Sequence, residues 1–207
     1  METLERLMQN NTLLSVSVAR EKILQGISPL TSEKCSIHSA HNRIVAEDLI
    51  ALISHPAQAV SAMDGYAARL SDIVTIPTLL PKVGTSRAGC MYEKPLLAGE
   101  LVRIFTGAAV PESANCVVMQ EKVIRNKEEI EVQNKPLLQE NIRPLGEQSQ
   151  IGEVALKKGT LLNPAAIGFL TTLGITSANV YKKPSIAVIA TGNELVAAGQ
   201  TLKHGQI

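Results

Sequence analysis

The sequence predicts a mixed α/β fold: an α/β body interrupted by a β-rich module, with the first strand of a further α/β domain at its end. Three observations carry this. The texture changes at residues 55 and 142: between them short β-rich runs alternate with Pro77, Pro81, Gly84, Gly89, Pro95 and Gly99. Asn163-Pro164 reads as an N-cap followed by proline at the first helical position, and Gly174 closes the same segment. The run Ser185-Ile186-Ala187-Val188-Ile189-Ala190 is continuously apolar, which suits a strand buried on both faces of a parallel sheet.

In chain order, residues 15–25 read as a helix. Ser15 is placed to cap it, Val16, Ala19 and Ile23 share a face, and Gly26 closes it before Pro29. Residues 43–53 mix strand and helix character around the pair Glu47-Asp48, which reads as a solvated face. Val117–Ile124 and Glu129–Gln133 read as a hairpin joined by 125–128. A helix follows at 164–173, apolar around most of its circumference, so it needs cover on more than one side. The expected organisation is an elongated molecule. Its body is residues 1–54 plus 143–182, its inserted β-rich domain is 55–142, and 183–207 begins a further α/β domain. A lone buried parallel strand needs neighbours and covering helices, so the sequence reads as a truncated chain or as one completed by something else.

Composition excludes several functions. The formal net charge is +1, from 20 basic and 19 acidic side chains, and no basic stripe stands out. With no Trp, three Tyr and two Phe, the chain lacks a base-stacking platform, so nucleic acid is not an expected partner. No apolar run approaches the length of a membrane span, and no partnership with a membrane is expected. Cys35, Cys90 and Cys116 are odd in number and widely spaced, which supports neither a disulfide framework nor a zinc site and suits a reducing, cytoplasmic setting. His38 and His41 have no third ligand nearby.

Four stretches do not read as ordinary core. The first is Ser61-Ala62-Met63-Asp64-Gly65-Tyr66-Ala67, which neither helical nor strand periodicity buries on one face. Asp-Gly is a turn signal, and Gly65 permits positive φ or close approach to a ligand. Asp64 either caps its own turn or is a carboxylate held at a binding site. The second is Arg103-Ile104-Phe105-Thr106-Gly107-Ala108-Ala109-Val110-Pro111, followed by Cys116-Val117-Val118-Met119-Gln120-Glu121. The third is Asn141-Ile142-Arg143 with Gly146-Glu147, and the fourth is Thr191-Gly192-Asn193-Glu194-Leu195. An open α/β sheet places ligand-contacting residues where the fourth lies, beyond a strand end.

In this order and at these separations, the four stretches resemble the molybdopterin molybdotransferases, that is, the MoeA proteins and the E domain of gephyrin. Those proteins carry SAMDGYA, TGAPVP followed by a VVMQE strand, NIR-x-x-GED, and a strand ending in TGDEL or TGNEL. The resemblance covers essentially the whole chain and implies an elongated MoeA N-terminal region followed by the first strand of a MogA-like α/β domain. It implies a reaction too: insertion of molybdate into adenylated molybdopterin with release of AMP, assisted by Mg2+. Asp64, Thr106 and Glu194 fall at the family's functional positions. Asp64 and Glu194 are the implied metal carboxylates, and Thr106, with its backbone NH and Gly107, is the implied seat of an oxyanion. Ser61, Gly65, Gly107 and Arg143 are the implied cofactor-binding residues. The implied partners are a second copy of the chain, as a homodimer, and a MogA-like molybdopterin adenylyltransferase.

The chain also departs from the family pattern. The family's P-x-F-D-N-S is here Pro56-Ala57-Gln58-Ala59-Val60-Ser61, so an acid and an amide have become Ala59 and Val60. The GED motif is Gly146-Glu147-Gln148, with its terminal acid neutral. These losses support an alternative expectation, a non-catalytic scaffold or binding module that keeps the fold.

Overall fold

The protein is described here as a computed structural model covering residues 14–127 and 129–207. The first 13 residues of the predicted body and Glu128 of the predicted hairpin loop lie outside the described residues. The chain divides into two compact units: one made of the segments up to Glu33 and from Tyr181 onward, the other Lys34–Val180.

In the first unit, helix α1 (Val16–Gln25) starts where the sequence predicts. Ser15 is extended and its hydroxyl accepts the Val18 NH, while Gly26 donates back to Ile23 and Leu24. None of its residues is buried, including Val16 and Ile23 of the predicted apolar face. The predicted strand at 185–190 is not formed: Ile186, Val188 and Ile189 are 79%, 92% and 81% exposed. A parallel strand exists only through ladder partners and covering helices, and no strand among the described residues pairs with this segment.

The second unit holds three apolar clusters. One joins the two ends of the unit. Strand β1 (Ser32–Ser36) pairs with β12 (Ser177–Tyr181), and β2 (Leu49–Ile50) pairs with β11 (Val154–Leu156). Ile37, Val45, Leu162, Leu170, Leu173 and Val180 are buried between them. Helix α2 (Pro164–Thr172) lies over this cluster. Asn163 Oδ1 accepts the Ala166 NH at 2.8 Å, and Gly174 takes φ +79° just past the end, as the sequence predicts. Leu170 is buried and Phe169 half-buried, while Ala165, Gly168, Thr171 and Thr172 form an exposed small-residue face. Glu47 and Asp48 are exposed, in line with a solvated face; Glu47 accepts from the Asn179 amide and Asp48 accepts the Lys158 NH.

The other two clusters lie on opposite faces of a curled six-stranded sheet. Its strands are β4 (Gly65–Ala68), β5 (Thr78–Ser86), β6 (Leu101–Ile104), β7 (Cys116–Met119), β8 (Val123–Asn126) and β9 (Glu129–Val132), in the spatial order β7-β4-β6-β5-β9-β8. Only β5 and β6 run parallel. Side chains alternate across the sheet. Tyr66, Ala68, Leu101, Cys116 and Val118 face one cluster, and Ala67, Val102, Ile104 and Val117 face the other. Strand β4 is therefore buried on both faces.

The predicted hairpin is shorter than the sequence suggested. Its first strand is β8, starting at Val123, because Cys116–Met119 is a separate strand on β4, cut off by a turn of 3-10 helix at Gln120–Lys122. Two short strands, β3 (Val60–Ser61) and β10 (Ile142–Arg143), pair with each other beside this sheet.

Candidate functional site

Asp64 lies in the bend between β3 and β4, and Thr106 lies just past the end of β6. The antiparallel register Gly65↔Ile104 brings the two together. Asp64 Oδ1 accepts two hydrogen bonds, from the Thr106 NH and from the Thr106 hydroxyl, each at 2.8 Å. Both fall on Oδ1, and Oδ2 takes neither. These bonds hold the Asp64 carboxyl below its ordinary value of 3.8 against an opposing desolvation, with the Arg103 charge the least of the contributions. At neutral pH the site presents a fixed, ionised carboxylate.

The bend is anchored on all sides. The Gly107 NH donates to Ser61 O at 2.8 Å, the Ser61 NH donates to Ala108 O, the Ala62 NH donates to Asn141 O, and the Gln120 NH donates to Asp64 O. Ser61 is buried; its hydroxyl donates to Met63 O at 2.6 Å and closes the turn from inside.

These bonds correct several sequence expectations. The backbone NH groups of Thr106 and Gly107 are committed to Asp64 and Ser61, so they are not an open oxyanion seat. Gly65 does not take positive φ. It is a buried strand residue, and a Cβ there would stand 2.1 Å from Val118 O, so the glycine admits strand β7 rather than a ligand. Ser61 serves the turn. Arg143 is drawn to Glu147, with Nε 2.6 Å from Oε2. Glu194 is in the other unit, exposed, with its carboxylate folded over Gly192. The structure thus joins Asp64, Thr106, Ser61, Gly65 and Gly107 around one bend.

The sequence reading missed Arg103. It stands on β6 between two aromatic rings, with its guanidinium 5.1 Å from the Tyr66 centroid and 4.7 Å from that of Phe105. Nη1 donates to Gly65 O and Nη2 to Gln120 Oε1, which also receives Arg125. A usable signal was present: an arginine within the otherwise apolar strand Leu101–Ile104, three residues before Thr106-Gly107.

A model of the MoeA N-terminal region (domain I and II) matches residues 14–174. The chain belongs to this family. A molybdopterin molybdenumtransferase of Haemophilus influenzae is 39% identical over 197 residues, covering 94% of this chain and 48% of the relative. One from Staphylococcus aureus is 34% identical over 201 residues, covering 94% and 47%. Two crystal structures of molybdopterin biosynthesis MoeA proteins from Pyrococcus horikoshii, each 32% identical, superpose with TM-scores of 0.85 and 0.73. They cover 94% and 95% of this chain and 52% and 51% of those chains. The chain therefore spans about half the length of the MoeA relatives it matches.

Within this MoeA region, the residues present fit a hard cation in part. Mg2+ is commonly held by one or two carboxylates together with substrate phosphates, and Asp64 is a single carboxylate of that chemical kind. Among the described residues no cluster of three His, Cys, Asp or Glu side chains could hold a metal. No described helix is long and apolar enough to cross a membrane.

Proposed function

We propose that this chain supplies the Asp64–Thr106 half of a molybdopterin molybdotransferase site, for insertion of molybdate into adenylated molybdopterin with release of AMP. One observation carries the reading: a carboxylate fixed by both donors of Thr106 on a single oxygen, Oδ1, in a chain of the MoeA family. Asp64 binds and orients a divalent cation, and Thr106 sets the carboxylate's direction and, through its two hydrogen bonds, holds it ionised, with a smaller contribution from the Arg103 charge. Mg2+, when bound, neutralises phosphate charge. Glu194 is the second carboxylate of the proposal. The β-rich span 55–142 carries the Asp64 bend, and 1–54 with 143–182 forms the body. Three free cysteines suit a cytoplasmic setting, and a MogA-like adenylyltransferase would supply the adenylated pterin.

The test is complementation of a bacterium lacking its molybdopterin molybdenumtransferase, with this chain joined to the C-terminal half of the Haemophilus influenzae relative. Thr106→Val removes the hydroxyl bond but keeps the NH bond. Active-cofactor yield should fall about tenfold, the scale of one charge-assisted hydrogen bond, and Thr106→Ser should restore it. Full yield from Thr106→Val would leave the bend a structural turn. No complementation by the unmodified fusion would favour the non-catalytic reading, for which the neutral Gln148, Ala59 and Val60 speak.

The chain should also form a homodimer. The α2 face of Ala165, Gly168 and Thr172 is exposed, and the end of the helix at Gly174 adjoins Leu52 and Ile53, 57% and 46% exposed. Apolar cover of this kind is what a partner subunit supplies. Sedimentation at micromolar concentration should give twice the mass of 22.1 kDa, and a clean monomer would place the interface outside this chain.

A further inference from the structure

Beside the Asp64–Thr106 bend lies a cleft of about 380 Å³, bounded by Gln58, Arg87, Cys90, Glu93 and Gly107 among others. Its outer wall is a tight turn at the end of β5, where Arg87 and Cys90 exchange backbone hydrogen bonds at 2.9 and 3.0 Å and Gly89 takes φ +76°. Its inner wall is the turn after Thr106. Gly107 takes φ +79°, and nothing stands within 4 Å of where its Cβ would be, so the backbone there is open to approach.

Arg87 is exposed, and its guanidinium stands 5.9 Å from the Phe105 centroid, a ring that also carries Arg103 at 4.7 Å. Phe105 directly precedes Thr106. Two guanidinium groups are thus gathered on one ring next to the ionised Asp64. Arg103 is committed to Gly65 and Gln120, whereas Arg87 forms no ion pair with any described carboxylate. Glu93 is the one opposing charge in the cleft. It stands on a ridge, since it also lines the neighbouring depression that holds Lys94 and Pro111.

We propose that this cleft seats a tetrahedral oxyanion of the substrate, with Arg87 as its anchor. This rests on the reading that the chain handles phosphate-bearing pterin and molybdate, and it assigns the anion to the 87–93 segment rather than to the committed amides of Thr106 and Gly107. A guanidinium held against a ring keeps its in-plane N–H groups free to fork onto an oxyanion. The cation–π contact fixes the side chain in advance and lowers the entropy lost on binding.

Cys90 gives a direct readout because it is exposed in the cleft wall, while Cys35 is half-buried and Cys116 is buried, with burial and then the nearby Glu140 and Asp72 charges pushing its thiol up to about 11. The experiment is alkylation of the 207-residue chain by neutral iodoacetamide, followed at the Cys90 peptide, with added pyrophosphate or molybdate. Protection by pyrophosphate identifies a phosphate seat and protection by molybdate a metalate seat. Arg87→Gln should raise the half-protecting concentration about tenfold, Glu93→Gln should lower it, and Lys94→Gln should leave it unchanged. Protection by neither anion, protection that survives Arg87→Gln, or an equal loss in Lys94→Gln would overturn the proposal. None of these outcomes depends on molybdenum insertion, so failure here leaves the Asp64 reading standing.

Discussion

Asp64→Asn, in the chain joined to the C-terminal half of its Haemophilus influenzae relative, is expected to lower active-cofactor yield by about two orders of magnitude, the scale of losing one charged ligand at a metal-assisted centre. The fold should survive. Asparagine keeps an oxygen at Oδ1, so both Thr106 donors retain an acceptor and the bend keeps its shape. Only the charge leaves, and with it the attraction for a cation at the atom that takes neither Thr106 bond. Thermal melting measured beside cofactor yield separates the two effects. A large yield loss with little change in Tm supports a functional carboxylate. Unchanged yield would reduce Asp64 to a turn residue.

Gly65→Ala should do the reverse and damage the fold first. Its Cβ would stand 2.1 Å from Val118 O and 2.9 Å from Val118 C, both backbone atoms of the adjacent strand β7. Neither can swing aside as a flexible side chain would, so β4 and β7 must separate or the bend must shift. Overpacking usually costs 1–3 kcal/mol, and a backbone clash of this depth belongs at or above the top of that range, about 3 kcal/mol. For a chain of this size that lowers Tm by roughly 6–12 °C. A Tm within about 2 °C of the parent would show that the sheet relaxes around residue 65.

The helices and the position of the bend were legible in the sequence because local chemistry determines them. Ser15, Asn163, Pro164 and Gly174 act within a few residues of themselves, and each does what its type implies. Asp64 and Thr106 were legible as a pair only through their motifs, since 42 residues separate them and strand register alone brings them together. Long-range facts were not legible. Gly65 reads as a turn glycine next to Asp64, yet its role is set by Val118, which no local pattern indicates. Val117–Ile124 reads as one strand because its apolar residues are continuous, but partner choice divides it: β4 takes Cys116–Met119 and β9 takes Val123–Asn126. The run 185–190 shows the same limit. Its composition suits a buried strand, yet burial requires neighbours that these residues do not have among those described.

The anchoring of the Asp64 bend has a consequence for motion. Its backbone is tied to Asn141, Gly107, Ala108 and Gln120, groups distributed over the starts and ends of separate strands. A loop held by its own neighbours opens by local fraying. This one cannot, because releasing Asp64 means detaching several strand ends together, and the amides involved are expected to exchange at the slow rate of the sheet rather than the fast rate of surface loops. The carboxylate is therefore as rigid as the core beneath it, and whatever flexibility substrate entry demands must come from elements other than the one that carries the charge.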